Sequence, residues 1–503
     1  MKKLLCLLLA GMMLVSTVAC STTSEDDVKD DNKGTETEAT AETEDPAYSY
    51  ELSGALNYSG ETVNFLYPKS SNFQSEIYAE KLGNGVVPDA VYERNVAVED
   101  KLKLKLAYHE SEDVMEDLNR DIQSGLGDFD LINNPTYVTV PAVVEGKLLN
   151  LNALDNIMLD KAYWSAGFNE MMTFTEDELQ FLATGSIAIS MYRFMYMTLY
   201  NKQLFRDNKL PDLYDIVMEG QWTLDKQYSL SKDHYVDADG DGAVSDGDFY
   251  GFVTGNCISV DPYMVATDTS LVIRDAETGD LVYNPAAGAK LVDVCDKIQL
   301  LYNDASTFYY EGADGDNTNT TFIIDHFTDE KALMVTSLFV QMETNYADLA
   351  PLTYGIAPIP KFNASQAGYR SYVQDQVTCF GISAVVGEVG RQEMCAATLE
   401  AMAYFSNKLV RPAYYDTALS ERYMQDPQSK EILDLIFDSL CFDFSSSCCN
   451  MMTIYTRDQL RTLLTGETNT IASSTKTWEK SIKNSMNSIN RKLSKVAQNQ
   501  MPS

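Results

Sequence analysis

Val63-Asn64-Phe65-Leu66-Tyr67, closed by Pro68, is a β-branched and aromatic run of strand length, and Asp128-Phe129-Asp130-Leu131-Ile132, closed by Asn133-Asn134-Pro135, is a second. Between them, Asn95 to Leu104 carries Val96, Val98 and Leu102 at helical spacing. Strand, helix and strand in that order predict an α/β fold, a mostly parallel sheet with helices on both faces, whose ligands sit beyond the carboxyl ends of the strands. Tyr67 and Asn134 occupy such ends and are candidate ligand-binding residues. For Pro68 and Pro135, strand-terminating turn chemistry is the simpler reading.

The surrounding chain of 503 residues, 45% hydrophobic, is long enough for two domains with their own cores. Its 38 basic and 74 acidic residues give a net charge of −36, the wrong sign for a protein that tracks nucleic-acid phosphates. With only His109, His234 and His326, no His-Glu-x-x-His and no Gly-x-x-x-x-Gly-Lys-Ser/Thr, the best-marked zinc-hydrolase and nucleotide-hydrolase readings fail. Catalysis by paired carboxylates stays open.

The chain begins with Lys2-Lys3, an apolar run from Leu4 to Val15 and the small-residue stretch Ser16-Thr17-Val18-Ala19-Cys20, the order of a secretory signal too short to span a bilayer. Residues 1–20 are thus expected to be a leader. Its end resembles a bacterial lipobox, which implies lipidation of Cys20. Ten acids and two lysines between Ser21 and Pro46 predict a self-repelling tether over residues 21–50. Of nine cysteines, removal of Cys6 and lipidation of Cys20 leave an odd number, so complete pairing is excluded. Cys257, Cys295, Cys379 and Cys395 lie in apolar surroundings and read as buried thiols; Cys441, Cys448 and Cys449 allow one bridge.

Ser190 to Asn201 reads as a strand with Tyr192, Phe194, Tyr196, Thr198 and Tyr200 on one face. Such a stripe is sheet-packing surface or a platform for the C–H patches of a sugar ring. Thr223 reads as the N-cap of a helix that Trp222 staples. Arg391 to Leu409 reads as a helix, and Ile482, Met486, Ile489, Leu493 and Val496 repeat as the apolar face of a terminal one.

Asp237-Ala238-Asp239-Gly240-Asp241-Gly242-Ala243-Val244-Ser245-Asp246-Gly247-Asp248 fits the twelve-residue calcium loop. Asp237, Asp239 and Asp241 fill positions one, three and five, Ala243 supplies a carbonyl, Ser245 acts at nine and Asp248 closes the loop. Phe249 to Val253 reads as a strand, so the site is expected to be a structural Ca2+ loop without the helix pair a sensor opens.

Leu199-Tyr200-Asn201-Lys202 after Gly185, Gly220-Gln221-Trp222-Thr223-Leu224-Asp225, the loop running into Tyr250-Gly251-Phe252, Phe327 to Met334, and above all Tyr354-Gly355-Ile356-Ala357-Pro358-Ile359-Pro360-Lys361 carry a resemblance. The chain resembles the extracellular solute-binding proteins of ABC importers, the group that includes maltose-binding protein, and most closely the long lipid-anchored versions from Gram-positive bacteria. That resemblance implies a two-lobed, type II periplasmic-binding-protein-like fold with an interlobe cleft and crossing hinge strands. It implies a first lobe from 51–185 and 377–430, and a second from 186–376 completed by a helical segment at 431–503, with crossings near Leu182 to Ser190 and Val377 to Ser383. Asp261 and Tyr263 match an acidic-x-aromatic ligand segment and Phe339 a stacking position, and Phe194 falls near a carboxylate position. The implied activity is capture of a carbohydrate-like solute without chemistry, by a monomer that hands it to membrane permease subunits. A secreted glycan-degrading enzyme and a lipid-anchored sensor or adhesin are the alternatives.

Overall fold

The computed structural model describes residues 45–52, 56–70, 73–175, 178–255, 260–310, 321–346, 349, 353–416 and 426–500. The leader, Cys20, most of the expected tether and Cys257 lie outside the described residues. Among those described, no helix is long and apolar enough to cross a membrane. Residues 45–50, assigned by composition to the tether, are already engaged: Pro46 O accepts from Lys161 Nζ at 3.0 Å, and the Tyr50 ring lies 5.1 Å from Tyr404.

Strands Lys105–Ser111, Thr62–Pro68, Leu131–Pro135 and Thr378–Ile382 lie side by side in that order. The first three run parallel; the last is antiparallel to its neighbour, with Ile382 opposite Leu131. Val63, Phe65 and Leu66 are buried, as the apolar run requires. The second strand begins three residues later than the sequence predicts. The Asp121 carboxylate takes the N–H groups of Asp128 and Phe129 at 2.9 and 3.2 Å, so those donors are spent on a turn before the ladder starts. The helix expected from Asn95 spans Val86–Leu102, with Val91, Val98 and Leu102 buried and Val96 outward. It packs on helix Val389–Phe405.

A second sheet orders Thr307–Tyr310, Tyr250–Gly255, Ala332–Leu338, Tyr196–Asn201 and Tyr354–Ala357. Strand Tyr196–Asn201 is antiparallel to both neighbours. Here the sequence reading needs correction. Ser190–Arg193 is a helical turn and the strand starts only at Tyr196, so Tyr192 and Phe194 do not belong to its aromatic stripe. Every residue of Tyr196–Asn201 is buried, which makes the remaining stripe a packing surface.

Two chain segments join the sheets. Ala183 bridges Phe380 beside the first sheet and Met195 bridges Val373 beside the second, both antiparallel. Between these bridges Thr184 Oγ1 donates to Thr378 O at 2.8 Å, which ties the two crossings together. Gly185 bridges Trp164, and a Cβ there would sit 2.3 Å from Tyr163 O, so no other residue fits without backbone movement. A third passage follows helix Val389–Phe405, because helix Pro427–Asp438 packs beside Tyr354–Ala357 of the second sheet. The terminal helix Ile471–Gln500 buries its apolar face against helix Pro285–Tyr302 and Pro141–Val144. Among the described residues the cysteines are free thiols, including Cys441, Cys448 and Cys449, so none of those three forms the bridge their spacing allows.

Candidate functional site

The connectivity fixes which sheet edges meet. The carboxyl ends of Thr62–Pro68 and Leu131–Pro135 lie beside Thr378, where one crossing enters the first sheet. The amino end of Tyr196–Asn201 and the carboxyl end of Ala332–Leu338 lie together in the second sheet, where Met195 bridges Val373. The junction is therefore bounded by two strand edges and by residues 184–194 and 373–379.

All seven candidate ligand residues are buried, with relative exposures of 6% or less. Tyr67 and Asn134 sit at the carboxyl ends of their strands, as expected. Phe194 packs on Phe73, ring centroids 5.8 Å apart. Tyr192 stacks on Phe437 at 5.1 Å and 17°, and Phe339 meets the same ring edge-on at 6.0 Å. Phe437 comes from helix Pro427–Asp438, which sequence reasoning did not connect with this place. Beside these rings, Arg193 pairs with Glu343 at 3.3 Å and Tyr414 donates its hydroxyl to the same carboxylate at 2.6 Å.

Beneath the crossing, Glu76 is buried and its carboxylate accepts from the Ser190 N–H at 3.0 Å and from the Thr378 hydroxyl. Burial pushes its carboxyl above the ordinary range against the pull of these donors. Arg94, fully buried, donates to Glu76 O at 3.1 Å, Ile77 O at 3.0 Å, Asn95 Oδ1 at 2.9 Å and Ser406 Oγ at 3.2 Å. Burial pushes that guanidinium down to about 10.

A charged cluster completes the junction. Asp261 is held by Arg461, and Asp375 by Arg457, both arginines from helix Thr456–Leu464. Burial raises the Asp375 carboxyl, with Arg457 opposing. Tyr137 N donates to Asp375 O at 3.1 Å, and Tyr372 stacks on Tyr196 at 5.7 Å and 7°. The spacing of Arg457 and Arg461, four residues apart on one helix face, was the sequence signal available for this pair. Tyr263 is placed differently from Asp261. It is fully buried, its hydroxyl donates to Gln227 Oε1 at 3.0 Å and its ring packs against Tyr302, so it belongs to the core of the second sheet's lobe rather than to the junction.

In the acidic loop, Val236 bridges Phe249 and closes residues 237–248 into a surface turn. Carboxylate oxygens of Asp237, Asp239 and Asp248 lie within 4.8 Å of one another. Gly240 and Gly242 adopt φ of 75° and 77°, the left-handed region the sharp turn needs. Burial works against the charged form of Asp248, yet N–H donors from Ser245 and Ala238 and the hydroxyls of Tyr235 and Tyr250 hold its carboxyl below the ordinary value. A Cβ at Gly247 would lie 2.1 Å from Asp239 Oδ2, so glycine leaves that carboxylate room where it stands. Asp241, expected at position five, is not in that group, and its Oδ1 accepts the Ala243 N–H at 2.7 Å. Three carboxylates gathered this closely suit a hard divalent cation.

Neither a protein-family model nor a curated protein sequence matches the chain. Solved structures do. A sugar transporter from Rhizobium etli in an open conformation is 14% identical, with 86% of this chain and 99% of that one covered and a TM-score of 0.50. A cyclo/maltodextrin-binding protein complexed with maltotetraose is 13% identical, covering 88% and 99%, at 0.50. UspC of M. tuberculosis is 13% identical, covering 84% and 100%, at 0.50. With two sheets joined by paired crossings and matched along nearly the whole length of these proteins, the chain has the two-lobed α/β fold of the sugar-binding, MalE-like solute-binding proteins.

Proposed function

We propose that the chain is the substrate-binding component of an ABC importer, capturing a carbohydrate-like solute between its lobes and delivering it to membrane permease subunits without chemistry. The observation that carries this reading is the junction itself. Tyr192, Phe339 and Phe437 gather their rings at one crossing, and Asp375, held by Arg457 and electrostatically coupled to Asp261, lies on the returning segment, where Gln374 N donates to Phe194 O. Rings stack on the C–H faces of a sugar, and the charged pairs offer donors and acceptors to its hydroxyls. Because these groups are covered, a solute reaches them when the lobes part and is enclosed when they close. The carboxylates here are committed to arginines or, for Glu76, to Ser190 and Thr378, which supports binding rather than hydrolysis. The maltotetraose bound by the cyclo/maltodextrin-binding protein supports an oligosaccharide as the first solute to try.

In this reading Cys20 carries the lipid, the acidic tether spaces a monomeric binding domain from the outer face of the membrane, and Ca2+ on Asp237, Asp239 and Asp248 pins the 237–248 loop. A panel of mono- and oligosaccharides, read by thermal shift and by product analysis, tests the function. Saturable stabilisation without turnover is expected; product from any glycan overturns it. Replacement of Cys20 by alanine should release the protein from the membrane fraction.

A further inference from the structure

A cavity of about 560 Å3 lies apart from the junction residues. Helix Ala166–Met172 bounds it on one side, and the hairpin Val272–Arg274 with Leu281–Tyr283 and the start of helix Pro285–Tyr302 bound it on others. Its volume falls in the range of small-molecule sites, roughly 300–1,000 Å3. Its walls mix the two signs of charge with apolar surface, and neither sign is fully matched among the described residues.

On the positive side stand Lys290 and Arg370, which share one acid. Arg370 Nη1 lies 3.6 Å from Asp268 Oδ1, a loose pair, while its Nε donates to Val265 O at 3.1 Å. Lys290 Nζ donates to the main-chain carbonyl of Asp268 at 3.3 Å, an uncharged acceptor, and lies over the Phe362 ring at 5.3 Å. Burial, opposed by Asp268 and aided by the Arg370 charge, holds that ammonium below the ordinary lysine range. Guanidinium and ammonium groups in this state have donor capacity left for an anion.

On the negative side stands Asp443, 4% exposed. One carboxylate oxygen caps helix Phe444–Ser447, accepting from Ser446 N at 2.8 Å and Ser445 Oγ at 2.6 Å. The other oxygen is buried and has no hydrogen-bond partner among the described residues. A carboxylate oxygen left without a donor is costly, and a small turn of the side chain toward the cavity would open it to a ligand donor. Phe442 and Phe444, flanking that aspartate, add apolar wall together with Met171 and Leu281.

We infer that this cavity is a second ligand site, separate from the solute junction, which takes a small zwitterion with an apolar side chain: an α-amino acid, or a short peptide with free termini. The ligand carboxylate meets Arg370 and Lys290, its ammonium meets Asp443, and its side chain lies on the Phe442 and Phe444 walls.

Titration calorimetry of the intact chain with L-leucine and with leucyl-leucine separates the two sources of this chemistry. Saturable binding of at least one is expected, with N-acetyl-leucine and leucinamide, each lacking one charge, at least about tenfold weaker. Asp443→Asn should erase the preference over N-acetyl-leucine, and Arg370→Gln the preference over leucinamide, in variants whose thermal unfolding shows them folded. The analogue series on the unaltered protein stands without the variants. Absence of saturable binding by both zwitterions, equal binding of the blocked forms, preferences that survive both substitutions, or displacement by a saccharide bound at the junction would each overturn the assignment.

Discussion

Arg461 grips Asp261 through both arms of its guanidinium, Nε 2.7 Å from Oδ1 and Nη2 2.5 Å from Oδ2. The two residues are 200 positions apart, and the Asp261 side chain is 3% exposed. A fork of this kind is strong because both N–H groups are spent on one carboxylate in a place that water does not screen.

Removing only the arginine leaves a buried carboxylate without its counter-charge. Arg461→Met should therefore destabilise the protein by about 3–5 kcal/mol, while the double variant with Asp261→Asn should lose much less, because the stranded charge is gone. Urea unfolding of both variants checks this. A double variant no more stable than Arg461→Met would show that the loss comes from packing.

Glu76 gives the fold a pH dependence of unusual sign. Burial raises its folded carboxyl above the ordinary 4.5, so the native state holds a proton that the unfolded chain gives up at lower pH. The contribution is full below 4.5 and is lost as pH rises through the folded value. Glu400, hydrogen-bonded by Tyr163, Trp164 Nε1 and Met158 N, is raised by burial in the same direction. Glu76→Gln should remove part of this decline while keeping an acceptor for Ser190 N. Unfolding free energies measured from pH 4 upward should fall less steeply in the variant, and parallel profiles would refute the assignment to Glu76.

Local signals in the sequence carried far. Thr223 caps its helix by accepting the Lys226 N–H at 3.2 Å, as its position before an apolar repeat predicts, and the terminal repeat from Ile482 to Val496 is buried as one face. The two strand runs and their parallel arrangement were also legible, because period and turn chemistry act within a few residues. The junction was less so. Phe437 reaches Tyr192 and Phe339, and Arg457 reaches Asp375 across 82 residues, only through the third passage of the chain between the sheets. Alternation alone also carried the Ser190 to Asn201 strand too far. Ile189 and Ser190 carbonyls accept from Arg193 and Phe194 N–H groups, a helical turn that period-two patterning does not register.

Gly185 lets the first crossing pass beside Trp164. An added Cβ would meet Tyr163 O at 2.3 Å and Trp164 Cα at 2.7 Å, both main-chain atoms that cannot swing aside. Gly185→Ala should cost about 1–3 kcal/mol through overpacking. If the lobes close on a solute as proposed, the substitution should also change solute affinity, because the displaced backbone lies in one of the two crossings between the sheets. Unfolding and saccharide titration on the same variant separate the two effects. Unchanged stability would mean that the crossing repacks without strain.

The acidic loop offers the sharpest test of a bound ion. If Ca2+ sits among Asp237, Asp239 and Asp248, it stabilises the folded chain by mass action, about 2.7 kcal/mol when free calcium is roughly 100 times Kd. Chelation should then lower the melting temperature, and re-addition should restore it. Gly247→Ala sets a Cβ 2.1 Å from Asp239 Oδ2 and forces that carboxylate outward without removing any charge. The variant should lose most of the calcium-dependent shift while melting close to the chelated wild type. Asp239→Asn should behave alike by removing charge and leaving shape. A wild type indifferent to chelator would leave the loop as a turn held by its own hydrogen bonds, among them Gly240 N and Gly242 N to the Asp237 carboxylate at 2.7 and 3.1 Å.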